Sequence, residues 1–419
     1  MKRCPECRRD YFDETLLYCL DDGRALLEGP GSGEAPTAIF DNAAIKRASR
    51  KLSSVTVVFL VGSLLALAGG GYLLFTRSRA GKTDTSQSSR DNYLKAKVLL
   101  SSENQSDDDA AISLLEQTVK DEPQFAPAWS ALARAYNIRS FYFAKSAAER
   151  KQLSQDAELA VEKALTIDPN LAEAHFSRGL LLWTHANRFQ HEQALQSYRK
   201  ALSLDPSLDE AHHQIGLIYL HLGLFDKARA EIANALELNS ANTYARFRYG
   251  VIDLYRGKYE DAYAFFKSTP LEKNPSLHAF QTATALFKLG RNKEAVAMID
   301  RYLQDYPNDE GGVGNSVKAM IFAKSGKTDE AVAAITRAED IGKDFGHFHH
   351  TAYNIASAYA LIKKPDKAVE YLQFAIDDGL PCYPLIDNDE VFKDIRQHPR
   401  FVTLLAQLKQ QWERYNATL

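Results

Sequence analysis

Four cysteines occur in 419 residues, and three of them fall within the first nineteen. A secreted scaffold stapled by disulfides spreads its cysteines along the whole chain, so that class is excluded. A basic block is missing too: 51 Lys and Arg stand against 54 Asp and Glu, a net charge of -3 with both signs interspersed. Nucleic acid, which demands a cationic face, is excluded as the main partner. The sequence holds no glycine-rich phosphate loop, no H-R-D triplet and no serine or cysteine nucleophile signature. What is absent therefore points away from an enzyme and from a small-molecule substrate. The bulk composition, 45% hydrophobic and 25% charged, is that of an ordinary globular chain.

What is present is repetition. Residues 172–206 and 209–240 are two copies of one pattern, and their closing residues Pro206 and Ser240 lie 34 positions apart. In each copy a glycine, Gly179 or Gly216, sits where one helix must approach its neighbour closely. A small, large, small series follows at helical spacing: Ala194, Tyr198 and Ala201, then Ala228, Ile232 and Ala235. The series recurs upstream through Trp129, Leu132, Tyr136, Ala157, Ala164 and Pro169, and before that through Ala111, Leu115 and Pro123. Downstream it passes through Gly250, Gly257, Ala262 and Phe266, then Ala283, Gly290, Ala295 and Pro307. The later copies carry Ala319, Gly326, Ala331 and Ala338, then Ala356, Tyr359, Ala368, Leu372 and Ala375. A period of 34 residues built on this series resembles the tetratricopeptide repeat (TPR) family. The fold class this implies is all-α: a solenoid of about eight helix-turn-helix repeats over residues 90–379. Residues 140–154 interrupt one copy and extend its helical pair.

The remainder of the chain is not repetitive. Residues 1–27 hold Cys4, Cys7, Cys19 and Asp22, a C-x2-C knuckle followed after eleven residues by C-x2-D. A head this short has little core of its own, and four such ligands are enough for one structural zinc ion. The stretch resembles short zinc-ribbon heads, with an aspartate in place of the fourth cysteine and Asp21 as its competitor. Residues 28–52 read as a flexible linker ending in the basic cluster Lys46, Arg47, Arg50 and Lys51. The 21 residues 55–75 carry no charge. As a helix rising ~1.5 Å per residue they would span ~31 Å, the thickness of a bilayer core, which predicts a transmembrane helix over 53–76. The basic flank favours the amino terminus inside, and so a single-pass protein of the bacterial inner membrane with a cytoplasmic head and an extracytoplasmic array. Residues 77–89 read as a polar tether. Residues 380–419 depart from the repeat code, and Phe401, Leu404, Leu405 and Leu408 fall on one helical stripe, as a capping helix requires.

The segments NYLKAKVLLSS, TIDPNLAEAH and DIRQHPRFVTLL are similar to the TPR tails of bacterial one-pass membrane signalling proteins. That resemblance implies a scaffold or receptor, with a signalling subunit whose head contacts a cytoplasmic kinase or transcription factor as the alternative. By the same resemblance the first helix of each repeat lines a concave groove. Carried onto this chain, the groove positions are Phe176, Leu180, Trp183, His213, Leu217, Leu220, Tyr244, Phe247, Val251, Leu254, Leu277, Phe280, Phe287 and Tyr353. Such an apolar lining suits an extended or helical protein segment with apolar anchors, and about half of these side chains are expected to be solvent-accessible. Three histidines, His347, His349 and His350, cluster in KDFGHFHHTAY but have no cysteine or carboxylate at ligand-like helical spacing, so they read as a solvated turn and helix start. The acidic run 387–390 reads likewise as a solvated cap or turn.

Overall fold

The structure, a computed structural model, describes residues 2–3, 10–11, 27–28 and 87–419, apart from 102–103, 145, 273 and 344. The chain divides into two units, Met1–Phe75 and Thr76–Leu419. In the first, β1 (Lys2–Arg3) pairs antiparallel with both β2 (Asp10–Tyr11) and β3 (Leu27–Glu28), so the sheet order is β2-β1-β3. The four expected zinc ligands lie outside the described residues.

From residue 87 onward the chain is helical. The pairs are α1 (87–99) with α2 (Gln105–Asp121), α3 (Ala126–Ile138) with α4 (Ala147–Ile167), and α5 (Ala172–Leu182) with α6 (His191–Leu204). They continue as α7 (Asp209–His221) with α8 (Phe225–Leu238), α9 (Thr243–Tyr255) with α10 (Tyr259–Ser268), and α11 (Pro275–Lys288) with α12 (Asn292–Asp305). The last two are α13 (Val313–Lys324) with α14 (Thr328–Gly342) and α15 (Phe348–Leu361) with α16 (Pro365–Asp377). A short α17 (Tyr383–Asn388), a 3-10 turn (Glu390–Ile395) and the long α18 (Pro399–Thr418) close the array.

The local reasons are visible in the sequence. Gly223, Gly257, Gly290 and Gly326 all adopt φ between 72° and 78°, the left-handed conformation that ends one helix and lets the next begin. Asn104, Asn242 and Asn274 cap the helices that follow them through side-chain oxygens. The small, large, small series then packs each pair. Ala194, Tyr198 and Ala201 are fully buried, as are Ala228, Ile232 and Ala235. A Cβ on Gly216 would meet Ile232 at 2.9 Å, which explains why that position carries no side chain. At the far end Phe401, Leu404 and Leu408 are buried while Leu405 is half-buried, and α18 packs on α16 and α17.

One expectation needs correction. Among the described residues no helix is long and apolar enough to cross a membrane, and this overturns the single-pass inner-membrane placement with an extracytoplasmic array. The apolar run on which it rested, residues 55–75, lies outside the described residues. The insertion at 140–154 extends its pair and also packs internally. It opens with a π-helical turn, Arg139–Phe143, whose Phe141 reaches across to Phe345 and His347, with ring centroids 6.0 and 4.9 Å away.

Candidate functional site

Most of the expected groove lining is covered. Phe176, Trp183, His213, Leu217, Leu220, Phe247, Val251, Leu254, Phe280, Phe287 and Tyr353 are buried, and only Leu180, Tyr244 and Leu277 are half-buried. Some of these side chains pack within their own repeat, as Phe176 does on Tyr198 and Phe247 on Phe266, and others are covered because the solenoid turns back on itself. Residues near the start of α15 and beyond the end of α16 fold against α5, α7, α9 and α11, and they occupy the groove the first helices create. Trp183 is 6% exposed. Its indole packs edge-on against Phe189, His221 and His347, with centroids 5.6, 5.1 and 5.9 Å apart. The expectation that half the lining is accessible fails because the chain supplies its own occupant.

Named contacts hold that occupant. Asp389, 3% exposed, accepts hydrogen bonds from Lys288 Nζ at 2.5 Å and from Tyr353 Oη at 2.5 Å. Cys382 is fully buried and its Sγ lies 3.8 Å from the Leu220 carbonyl oxygen. Beside it, a Cβ on Gly223 would meet Pro384 at 2.5 Å. His185 bonds to Asp378, and His191 Nε2 lies 3.3 Å from the Gly379 carbonyl oxygen. From α18, Trp412 Nε1 donates to the Gly223 carbonyl oxygen at 3.2 Å, and Lys227 Nζ donates to that of Asn416 at 3.2 Å. Phe189 carries a share of strain here. It is 2% exposed, sits at φ 46°, and presses its ring where a Cβ on Gly379 would come within 2.6 Å. Left-handed backbone at a bulky residue costs about 1–3 kcal/mol and persists only when the surroundings hold it.

Electrostatics in the covered groove follow from burial. The Cys382 thiol is pushed up to about 12 by desolvation. His191 is pushed down to about 4 and His213 to about 3, in both cases chiefly by burial, with the Arg248 guanidinium adding to the effect at His213. These histidines are neutral in the fold, whereas in the unfolded chain they gain a proton near pH 6.5. Their contribution is therefore complete above about pH 6.5 and is lost as the pH falls toward their folded values, because the unfolded state then binds more protons. Between pH 7 and pH 5 the expected loss is about 1–2 kcal/mol per histidine, read from chemical denaturation at both values. Replacing His213 by Phe removes one such contribution, so the variant shows a flatter dependence on pH.

The three histidines read from the sequence as a solvated turn are in the same place, and they are not solvated. His349 is fully buried, His347 and His350 are half-buried, and His221 from the end of α7 joins them. One ring nitrogen from each of the four lies within 4.8 Å of the others. His347 and His349 are on the page in the sequence, but His221 is more than a hundred positions away. No periodicity links it to the other three.

Helix pairs on a 34-residue period, stacked around a groove lined by their first helices, make the described array an all-α solenoid of helix-turn-helix pairs. Family models described as TPR repeat and tetratricopeptide repeat match residues 190–223, 209–242 and 279–309. A tetratricopeptide-repeat protein from Parabacteroides merdae is 20% identical, with 66% of this chain and 98% of that one covered and a TM-score of 0.44. A thermophilic TPR protein of Thermus thermophilus is 25% identical over 46% of this chain and 96% of its own, with a TM-score of 0.35. The Rap protein in complex with competence and sporulation factor is 14% identical, covers 79% of this chain and 99% of its own, and reaches a TM-score of 0.61, a likeness of fold. No curated protein is similar enough to the chain to count as a match.

Proposed function

We propose that the chain is a non-enzymatic protein-interaction scaffold whose groove is covered by its own carboxyl-terminal segment and takes a partner segment in competition with it. The observation that supports this reading is the burial of Trp183, Leu220 and Phe280 against His347, Cys382 and His350 of the same chain rather than by neighbouring repeats alone. The covering elements are of the kind such a groove suits: a short helix entered through Cys382 and Pro384, and the buried start of α15. An occupant held by apolar anchors, the Lys288–Asp389 ion pair and bonds to carbonyl oxygens can be replaced by another segment offering the same groups. The Rap protein of similar fold is known in complex with a factor, and this chain is proposed to take its partner on the same architecture.

The test uses the full chain and a variant with Trp412→Ala, which removes a bond from α18 to Gly223 while leaving the repeats intact. Proteins captured by each are challenged with a synthetic peptide of residues 379–395. The reading expects stronger capture by the variant and release by the peptide. Equal capture that the peptide does not disturb would place the partner elsewhere on the solenoid.

For residues 1–27 we propose a structural zinc ion held by Cys4, Cys7, Cys19 and Asp22. In support, β1 and β2 flank Cys4 and Cys7 in the sequence, and β2 and β3 flank Cys19 and Asp22. Serine at the three cysteine positions is expected to remove one equivalent of bound zinc, measured by elemental analysis.

A further inference from the structure

We infer that His221, His347, His349 and His350 form a second metal site, for a divalent first-row transition ion of the zinc class, joining the fourth repeat to the eighth. In a tetrahedral site with metal–nitrogen bonds of ~2.0–2.1 Å, the ligand nitrogens stand about 3.3 Å apart. His221 Nε2 and His350 Nε2 are 3.3 Å apart, and His347 Nδ1 and His349 Nε2 are 3.1 Å apart. Two of the six edges of a tetrahedron are thus already at ligand spacing, and one ring nitrogen from each of the four histidines lies within 4.8 Å of the others. Ring shifts of under about an ångström complete it.

The second ring nitrogens are oriented as ligating histidines require. His221 Nδ1 donates to the Leu217 carbonyl oxygen at 2.8 Å, which fixes the tautomer and leaves Nε2 bare. His350 Nδ1 is 3.1 Å from Tyr255 Oη. His349 Nδ1 stands 3.5 Å from Asp378 Oδ2, close enough for charge attraction though not hydrogen-bonded. A backbone carbonyl, a hydroxyl and a carboxylate are the usual outer partners of such ligands.

Charge limits what the site accepts. Arg248 lies near enough to act on His213, His221, His347 and His350, and it opposes a cation; Asp378, also bonded to His185, supplies the negative charge that offsets it. Four imidazoles with no thiolate and no open position suit a structural ion rather than a catalytic one. A cavity of about 40 Å³ lined by His350, Tyr255 and Tyr353 leaves room for water beside the cluster. Because His221 ends α7 while His347, His349 and His350 begin α15, a bound ion ties the groove to its cover. That last consequence rests on the scaffold reading above; the site itself does not.

The experiment titrates cobalt(II) into the metal-free full chain carrying Cys4→Ser, Cys7→Ser and Cys19→Ser. The expected result is the visible absorption of a tetrahedral ion, saturating at one equivalent, without thiolate charge-transfer bands, displaced by zinc and lost in a further His221→Gln, His350→Gln variant. Absence of the visible bands in the chain with all four histidines overturns the site, with no variant needed. Bands that survive the histidine substitutions overturn it as well. Reaction of Cys382 with a thiol reagent, followed in the same samples, separates the two claims. Slower labelling with metal bound supports the tie between groove and cover, whereas bands with unchanged labelling leave the site standing and overturn the tie.

Discussion

Replacing Asp389 by alanine lowers the stability of the array by about 3–5 kcal/mol, measured by urea denaturation of the full chain. The carboxylate is 3% exposed and is the partner of Lys288, whose side chain is 9% exposed, so removing it strands a buried ammonium. It also strands the hydroxyl of Tyr353, which donates to the same oxygen. Val391 N–H, capped by Asp389 Oδ1 at 3.0 Å, loses its partner in addition. The companion double variant, Lys288→Met with Asp389→Leu, removes both charges and is expected to recover most of the loss, because a buried pair is worth little more than apolar side chains of similar volume. If Asp389→Ala costs under about 1 kcal/mol, the pair is exposed in solution and residues 380–395 do not sit on α11.

Trp183→Ala carries the other large effect, a loss of about 3–5 kcal/mol. The ring is wrapped by Phe189 from its own repeat, by His221 from the next and by His347 from the last, so its removal leaves a cavity shared by three repeats. Its indole N–H has no hydrogen-bond partner, so no bond is lost with the side chain and the cost is one of packing. An open groove predicts the opposite: a half-exposed tryptophan on a helix surface, whose loss changes stability by no more than about 0.5 kcal/mol. The substitution therefore reports on the cover as well as on the residue.

The repeat was legible because its information is local. Gly216 on α7 and the series Ala228, Ile232 and Ala235 at helical spacing on α8 signal their contact within one copy, and each copy repeats the signal, so the pairing of α7 with α8 needs no knowledge of the rest of the chain. The closure of the solenoid carries no such signal. His221 meets His350 across 129 positions, and Lys288 meets Asp389 across 101. Those contacts follow from the small rotation between successive repeats summed along the array, which no single repeat encodes. The same gap explains the misreadings. An apolar stripe on the first helices looks alike whether its occupant is a foreign segment or residues 345–389 of the same chain. Asp389 stood in an acidic run that resembles a solvated turn, and the histidines at 347–350 lacked their fourth member until α7 and α15 met.

The closed groove is tested most directly by the reactivity of Cys382. It is a free, fully buried thiol whose Sγ faces the Leu220 carbonyl oxygen, and burial raises its pKa to about 12, which suppresses the reactive thiolate. With Cys4, Cys7 and Cys19 changed to serine it is the one remaining cysteine, so a chromogenic disulfide reagent reports on it alone. The closed groove predicts no reaction in native buffer beyond the rate at which the chain opens, and one thiol per chain once denaturant is added. A full equivalent reacting at the rate of a free cysteine in native buffer would mean that residues 380–389 leave the groove open.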